Sequence, residues 1–222
     1  MLTHFPLLDV QEISYSPDGS PLLASVSLTL NAGDFVLLTG PSGSGKSTLL
    51  KIIASLLTPT TGNILFNGQP IIQLKAERYR QQVSYCFQTP VLFGDTVFDN
   101  LALPWQIRQQ KIDRHKLQSW LQKVNLPADI LDKTTEQLSG GEKQRVALLR
   151  NLQFLPDVLL LDEITSALDE ENKQIINQLV ASLAAEQGVA VVWISHDGAE
   201  ISQAQRVLTL TSAGLRSEHE PA

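Results

Sequence analysis

The stretch that decides the fold is Phe35-Val36-Leu37-Leu38-Thr39-Gly40-Pro41-Ser42-Gly43-Ser44-Gly45-Lys46-Ser47. It opens with an apolar run of strand length, and apolar residues at helical spacing follow it, at Leu49, Leu50, Ile52, Ile53, Leu56 and Leu57. Gly40 to Ser47 match the pattern G-x-x-x-x-G-K-[ST], whose backbone N–H groups cradle phosphate oxygens at a helix N-terminus. The sequence therefore predicts a phosphate site in which Lys46 reaches the β- and γ-phosphates and the Ser47 hydroxyl ligates Mg²⁺.

A second predicted strand ends in two acidic residues. Val158 to Leu161 are apolar, and Asp162 and Glu163 follow directly. If this strand lies beside the glycine-loop strand, Asp162 would hold Mg²⁺ and Glu163 would face the γ-phosphate and polarise an attacking water. The alternative is an ordinary strand end with solvated carboxylates.

The string Leu138-Ser139-Gly140-Gly141-Glu142-Lys143-Gln144 opens a predicted helix with a serine and two glycines. It is a second potential anion cradle in a chain that already has one complete phosphate loop. A symmetric head-to-tail dimer would place this cradle opposite the nucleotide of the other subunit. The alternative is that Ser139 only caps the helix.

The remaining patterns predict an α/β fold: a P-loop NTPase core with a mostly parallel sheet, an N-terminal antiparallel β layer and an inserted helical lobe. Continuous apolar runs at Val158 to Leu161 and Val189 to Ile194 are typical of parallel strands covered on both faces. Residues 22–39 read as a β-hairpin, with a further strand of the N-terminal layer at 63–66. We expect one domain over 1–222, with the helical lobe at about 96–150 and a polar tail at 212–222.

Composition and charge narrow the functional classes. The chain has 222 residues, 43% of them hydrophobic, and a formal net charge of −6, which argues against a nucleic-acid partner. Neither a run of 18 apolar residues nor a signal peptide is visible. The single cysteine, Cys86, fits a reducing cytosol, and we expect it to be a buried small hydrophobe rather than a redox sensor.

Together these motifs resemble those of ATP-binding-cassette (ABC) ATPases. Leu138 to Gln144 is similar to the family's signature motif, and it stands in the family's usual order between Gly40–Ser47 and Asp162–Glu163. The resemblance implies that Tyr15 stacks on adenine, that Gln88 is the Q-loop glutamine and that His196 is the switch histidine near the γ-phosphate. Ser166 to Asp169 match the D-loop.

The resemblance implies ATP and Mg²⁺ as cofactors, with Lys46, Glu163 and His196 as catalytic residues. The metal would be held by Ser47, Gln88 and Asp162. The nucleotide-binding set it implies is Tyr15, Gly40, Pro41, Ser42, Gly43, Ser44, Gly45, Lys46, Ser47, Thr48, Gln88, Ser139, Gly140, Gly141 and Asp162.

The function implied is that of a transporter subunit. The chain would hydrolyse ATP as a homodimer with composite sites, drive a separate integral-membrane permease, and lie on the cytoplasmic face of the cell membrane. The alternative is a soluble ABC ATPase acting on DNA or the ribosome, although the coiled-coil or zinc insertions usual there are not visible. A P-loop kinase of small substrates would not need the string from Leu138 to Gln144.

Two local features refine this interpretation. Ile164 follows Glu163 where the family commonly has proline, which questions the rigidity of that loop but keeps both carboxylates. Three stretches are similar to those of bacterial iron-export ATP-binding subunits: Tyr79–Cys86, Phe93–Val97 and Pro104–Arg108. This similarity implies metal export. No iron site is apparent, because the four histidines are scattered along the chain.

Residues 85–105 hold five aromatic residues in 21 positions: Tyr85, Phe87, Phe93, Phe98 and Trp105. Our hypothesis is that this segment forms part of a groove for a cytoplasmic helix of the permease. The alternative is that these rings pack the core of the helical lobe.

Overall fold

A computed structural model of the chain describes residues 5–217, and this part has ten strands and seven α-helices. The strands are β1 (Leu8–Tyr15), β2 (Leu23–Leu30), β3 (Phe35–Thr39), β4 (Thr61–Phe66), β5 (Gln69–Pro70), β6 (Val83–Cys86), β7 (Val158–Asp162), β8 (Ala190–Ile194), β9 (Arg206–Thr211) and β10 (Gly214–Ser217). The helices are α1 (Lys46–Ile53), α2 (Ala76–Gln82), α3 (Val97–Ile107), α4 (Arg114–Lys123), α5 (Gly140–Leu152), α6 (Glu170–Gln187) and α7 (Gly198–Gln203).

The strands form two sheets. One has four strands in the order β2-β1-β4-β5, and its neighbours pair antiparallel. The other has six strands in the order β10-β9-β3-β8-β7-β6. In it β3 pairs parallel with β8 and β9, and β7 pairs parallel with β8. The predicted antiparallel N-terminal layer and mostly parallel sheet are confirmed.

Burial follows the two sheet types. β2 alternates, with Val26, Leu28 and Leu30 buried between exposed residues, as expected for a sheet with one covered face. Every residue of β7 and β8 is buried, as expected for central strands covered on both faces.

The predicted hairpin over residues 22–39 is wrong, because β2 and β3 belong to different sheets. The turn between them is held by a hydrogen bond from the Gly33 N–H to the Gly188 carbonyl, 2.9 Å away and just before β8. Turn residues show that the chain reverses but not which sheet the next strand joins. The change from alternating to continuous apolar residues is the signal that separates the two strands.

The chain divides into two compact units. Among the described residues, the first comprises 5–85, 157–162 and 183–217, and it contains α1 and most of both sheets. The second comprises residues 86–156 and 163–182, and it contains α3, α4 and α5. The region predicted as a helical lobe, 96–150, falls within this second unit.

The C-terminal segment contains a strand that the sequence pattern did not indicate. Residues 212–222 were expected to be a polar tail, and within them β10 pairs antiparallel with β9 at the sheet edge. Residues 218–222 lie outside the described residues.

Gly40 gives the fold a testable constraint at the end of β3. Its φ is +135°, and a Cβ there would lie 2.1 Å from the Leu210 carbonyl oxygen in β9. We expect Gly40→Ala to lower the free energy of unfolding by about 3 kcal/mol, the combined cost of backbone strain and overpacking.

Gly43→Ala is the matched control, because its φ is also positive but no atom lies within 4 Å of the added Cβ. It should cost only about 1 kcal/mol. Urea unfolding of the nucleotide-free protein measures both changes. Equal losses for the two variants would contradict the close approach of Gly40 to β9.

Candidate active site

Three of the predicted site segments follow neighbouring parallel strands. The phosphate loop follows β3, Asp162 ends β7, and His196 comes two residues after β8. In the sheet register Ile194 pairs with both Leu38 and Asp162, so the carboxyl ends of the three strands are level. The parallel sheet therefore brings the glycine loop, Asp162 and the segment of His196 to one edge.

Lys46 is the first residue of α1 and is only 7% exposed. Its Nζ donates hydrogen bonds to the Gly40 carbonyl oxygen at 2.8 Å and to the Pro41 carbonyl oxygen at 3.0 Å. The ammonium group is therefore held across the glycine loop, where it can serve the oxygens of a bound phosphate.

Asp162 is 3% exposed and accepts a hydrogen bond on each of its carboxylate oxygens. The Ser47 Oγ donates to Oδ1 at 3.0 Å, and the Tyr85 hydroxyl donates to Oδ2 at 2.5 Å. A serine hydroxyl beside an aspartate carboxylate is a set of hard oxygen donors, which fits Mg²⁺.

Tyr15, Gly45 and His196 are further predicted site residues of this unit. Tyr15, the last residue of β1, is half-buried and pairs with Leu23 in β2. Gly45, the N-cap of α1, packs against the start of this strand, because a Cβ on Gly45 would lie 2.9 Å from the carbonyl oxygen of Leu22, just before β2, and 3.2 Å from the Cδ1 of Leu23. His196 is exposed.

Gln88 and Glu163 are brought together in the second unit. The Gln88 Nε2 donates a 2.8 Å hydrogen bond to the Glu163 Oε2. Glu163 has a φ of +48°, in the left-handed region that non-glycine residues seldom adopt. Ile164 is only 1% exposed, so burial of its side chain holds the loop where the family commonly has proline.

Ser139 is the N-cap of α5 and forms a capping box with Glu142. Its Oγ accepts from the Glu142 N–H at 3.2 Å, and its own N–H donates to the Glu142 carboxylate at 2.8 Å. The capping role considered from the sequence is therefore present. A Cβ on Gly140 would meet no atom within 4 Å, whereas one on Gly141 would press against Leu168 of the predicted D-loop at 3.2 Å.

Two polar residues of α5 were missed as structural determinants. Arg145 is 8% exposed and donates to the Val124 carbonyl, the Asn125 carbonyl and, at 2.6 Å, the Asn172 Oδ1. Gln144 donates to the Phe87 carbonyl next to Gln88. The helical spacing could have indicated that Arg145 is buried. It lies three, four and seven residues before the buried Leu148, Leu149 and Leu152, and therefore on the same face of the helix. Burial lowers the pKa of Arg145.

The aromatic residues of segment 85–105 differ in their exposure, and two of them pack in the core as the alternative interpretation predicted. Tyr85 and Trp105 are buried, and the Trp105 ring packs on Phe154 with centroids 5.0 Å apart. Phe87 is 41% exposed and Phe93 is 50% exposed. Phe98 is partly buried.

The predicted burial of Cys86 is confirmed. It is 4% exposed, its Sγ accepts a hydrogen bond from Asn151 Nδ2 at 3.1 Å, and burial raises its pKa to about 12. The thiol is therefore protonated at neutral pH, which disfavours redox chemistry.

Among residues 5–217, no helix combines the length and apolar character needed to cross a membrane. The same range contains no group of three or more His, Cys, Asp or Glu side chains arranged to hold a metal ion.

Known proteins resemble this chain over nearly its whole length. A family model described as ABC transporter matches residues 23–166. The probable iron export ATP-binding protein FetA of Escherichia coli (strain K12) is 54% identical over 210 residues, which cover 95% of this chain and 93% of FetA.

Solved structures agree with this match. The dimeric structure of MJ0796, a bacterial ABC transporter cassette, is 28% identical and superposes with a TM-score of 0.88 over 97% of this chain and 99% of that one. A second structure of MJ0796, a post-hydrolysis dimer bound to ADP and Pi, has a TM-score of 0.86, 28% identity and the same coverage. The structure of cbiO1 from Clostridium perfringens, part of the ABC transporter complex cbiONQ, is 27% identical, with a TM-score of 0.80 over 95% of this chain and 87% of that one.

The capping box of α5 predicts a pH dependence of stability. The hydrogen bond from the backbone N–H of Ser139 lowers the pKa of Glu142 below its ordinary value of 4.5. The Ser139 hydroxyl and the charge of Lys133 lower it further, by smaller amounts. A carboxyl whose folded-state pKa is depressed stabilises the fold above its unfolded pKa, and that contribution disappears as the pH falls through the folded pKa. Glu142→Gln should therefore lower the melting temperature at pH 7, and this difference should shrink as the pH falls through the lowered folded-state pKa of Glu142.

Melting curves of the wild type and Glu142→Gln between pH 2.5 and 7 measure this difference. Glu136→Gln is the control, because Glu136 is an exposed carboxylate outside the capping box of α5, and its removal should give no such pH-dependent difference. A Glu142→Gln effect that stays constant across the range would contradict the role of the charge.

Proposed function

Because this chain belongs to the ABC transporter family as an ATP-binding subunit, we propose that it works as one half of a head-to-tail dimer that drives a separate membrane permease. Chains of this family bind ATP and ADP, and this chain is an ATPase. The observation that carries the dimer proposal is the exposed N-terminus of α5 at Ser139 and Gly140.

The chain carries two potential anion cradles of different kinds, the phosphate loop and the N-terminus of α5. The phosphate loop lies in the first unit, whereas the N-terminus of the 13-residue helix α5 lies in the second. Ser139 and Gly140 are exposed, and the space around Gly140 is open, so a phosphate could approach the helix N-terminus closely. A twofold head-to-tail dimer would use both cradles at once and form two composite ATP sites.

Hydrolysis would rest on positioning and charge. Lys46 would leave its carbonyl partners for the β- and γ-phosphate oxygens. Glu163, oriented by Gln88, would align the attacking water and draw its proton, and His196 would lie near the γ-phosphate. The remaining neutralising contacts would come from Ser139 and Gly141 of the partner.

We propose Mg²⁺ at Ser47 and Asp162, with Gln88 as a further ligand. When bound, the ion supplies charge neutralisation of the phosphate oxygens. Asp162 and Ser47 are already hydrogen-bonded to each other, so little rearrangement would be needed to present their oxygens.

The permease would meet the surface of the second unit that contains Phe87, Val91 and Phe93, which are all more than 40% exposed. Arg150 supports this surface. Its guanidinium lies 4.7 Å from the centre of the Phe93 ring and donates to the Val91 carbonyl at 2.8 Å. An exposed apolar surface with an ordered backbone suits a helix of a partner protein.

The likeness to FetA supports metal export as the transport reaction, with iron as cargo. The same proposal places the chain peripherally on the cytoplasmic face of the cell membrane. We further propose that residues 1–222 act as a single ABC ATPase domain containing both units.

Affinity purification from detergent-solubilised membranes distinguishes a transporter subunit from a soluble ATPase that acts on DNA or the ribosome. Recovery of a multi-span protein supports transport, and recovery of ribosomes or DNA contradicts it.

Glu163→Gln tests the composite site. Loss of the carboxylate should slow hydrolysis by at least about 100-fold, while ATP binding and dimer closure persist. The variant should therefore elute as a dimer in size-exclusion chromatography with ATP. Lys46→Ala combined with Glu163→Gln should stay monomeric, and a Glu163→Gln protein that remains monomeric at saturating ATP would contradict the dimer.

Phe93→Ser tests the permease surface. Removal of an exposed ring from an interface centre should reduce permease recovery in the purification about 10-fold, with ATPase activity of the isolated chain unchanged. Ile107→Ser is the matched control, because Ile107 is a 60% exposed apolar residue of the same unit outside this surface. Equal recovery with both variants would remove Phe93 from the interface.

A further inference from the structure

We propose that Tyr85 is a positioning residue for the bound metal and acts through the carboxylate of Asp162. The inference rests on the proposed assignment of Mg²⁺ to Ser47 and Asp162 and deepens it. Tyr85 is 8% exposed, and its hydroxyl donates a 2.5 Å hydrogen bond to the Asp162 Oδ2.

The two oxygens of Asp162 have different partners. Oδ2 faces Tyr85, and Oδ1 faces the Ser47 hydroxyl, 3.0 Å away. A short hydrogen bond to a buried carboxylate is charge-assisted and directional. Because it fixes one oxygen, it also fixes the rotation of the carboxylate plane, so Oδ1 stays on the side of Ser47 and the phosphate loop.

Mg²⁺ requires this fixation more than a larger cation would. Mg²⁺ demands near-octahedral geometry with short metal–oxygen distances. A rotated carboxylate would therefore place its oxygen poorly for coordination of the ion. Groups that orient metal ligands or their hydrogen-bonded partners commonly change metal affinity by 10-fold or more when removed. Without the Tyr85 hydroxyl, Oδ2 would lose its donor and the carboxylate could turn away from Ser47.

Tyr79 provides the control that distinguishes a positioning role of Tyr85 from a general contribution to the stability of the fold. It lies in the same compact unit, is 1% exposed, and its hydroxyl donates at 2.6 Å to the backbone carbonyl of Ile53. Tyr79→Phe removes a buried hydroxyl of the same kind without touching Asp162. The two tyrosine variants should therefore lose similar stability but differ in their response to the metal.

The test compares nucleotide binding by the wild type, Tyr85→Phe and Tyr79→Phe, measured by calorimetry in EDTA and along a Mg²⁺ titration. We expect Tyr85→Phe to raise the Mg²⁺ concentration for half-maximal enhancement of ATP binding about 10-fold. ATP affinity in EDTA should change less than about 2-fold, and Tyr79→Phe should keep the wild-type Mg²⁺ midpoint. An unchanged midpoint in folded Tyr85→Phe overturns the inference.

The wild type distinguishes the inference from its premise. If Mg²⁺ does not enhance ATP binding by the wild-type chain, the proposed metal site is wrong and Tyr85 has nothing to position. If the wild type responds and Tyr85→Phe responds equally, the metal site stands and only the role of Tyr85 is overturned.

A second measurement needs no substitution at Tyr85. The chain has three tyrosines, so incorporation of 3-fluorotyrosine gives three ¹⁹F resonances, which Tyr15→Phe and Tyr79→Phe assign by elimination. Adding Mg²⁺ to the ATP-bound protein should shift the Tyr85 resonance and leave that of Tyr79 in place. A Tyr85 resonance that does not move overturns the inference even if Tyr85→Phe fails to fold.

Discussion

Parallel pairing of β3 with β8, and of β8 with β7, is the constraint on which the rest of the site depends. Because the three strands run the same way in register, their carboxyl ends are level, and the segments that follow them meet at one edge. The glycine loop, the Asp162 carboxylate and the segment of His196 owe their proximity to this arrangement. Gly40 belongs to the same constraint, since the backbone of β9 leaves no room for a Cβ where β3 ends.

The second unit is organised by side chains that bind backbone. Arg145 gathers carbonyls from the end of α4 and the Asn172 amide oxygen near the start of α6. Gln144 holds the Phe87 carbonyl, one residue before Gln88. The helix that presents Ser139 and Gly140 therefore also fixes the backbone around the glutamine that contacts Glu163. Because several hydrogen bonds attach this one helix to the rest of the unit, they hold the functional groups of the unit in a defined geometry.

Much of this could be predicted from the sequence, and the exceptions have physical causes. Continuous apolar runs indicated the buried parallel strands, and the strand–loop–helix order located Lys46 and Ser47. Local signals misled where the outcome depends on distant partners: Gly33 bonds to Gly188, which no pattern within residues 22–39 reveals. The same reason hid the contact of Tyr85 with Asp162, because the two residues are 77 positions apart and an aromatic residue in a strand looks like any other core residue. Helix α1 also ends at Ile53, earlier than its apolar spacing to Leu57 suggested, since Ser55 turns into the left-handed region.

The position of Lys46 has a consequence for the thermodynamics of nucleotide binding. Its ammonium group already has two carbonyl acceptors within its own loop, so the phosphate binding proposed for Lys46 would exchange one set of acceptors for another rather than add a new interaction. The net gain depends on how far a charged oxygen exceeds a neutral carbonyl as an acceptor. A weakly charged ligand would gain little from the exchange, whereas a polyphosphate would gain much, so the carbonyls of Gly40 and Pro41 would act as internal competitors that raise the selectivity of the loop for highly charged ligands.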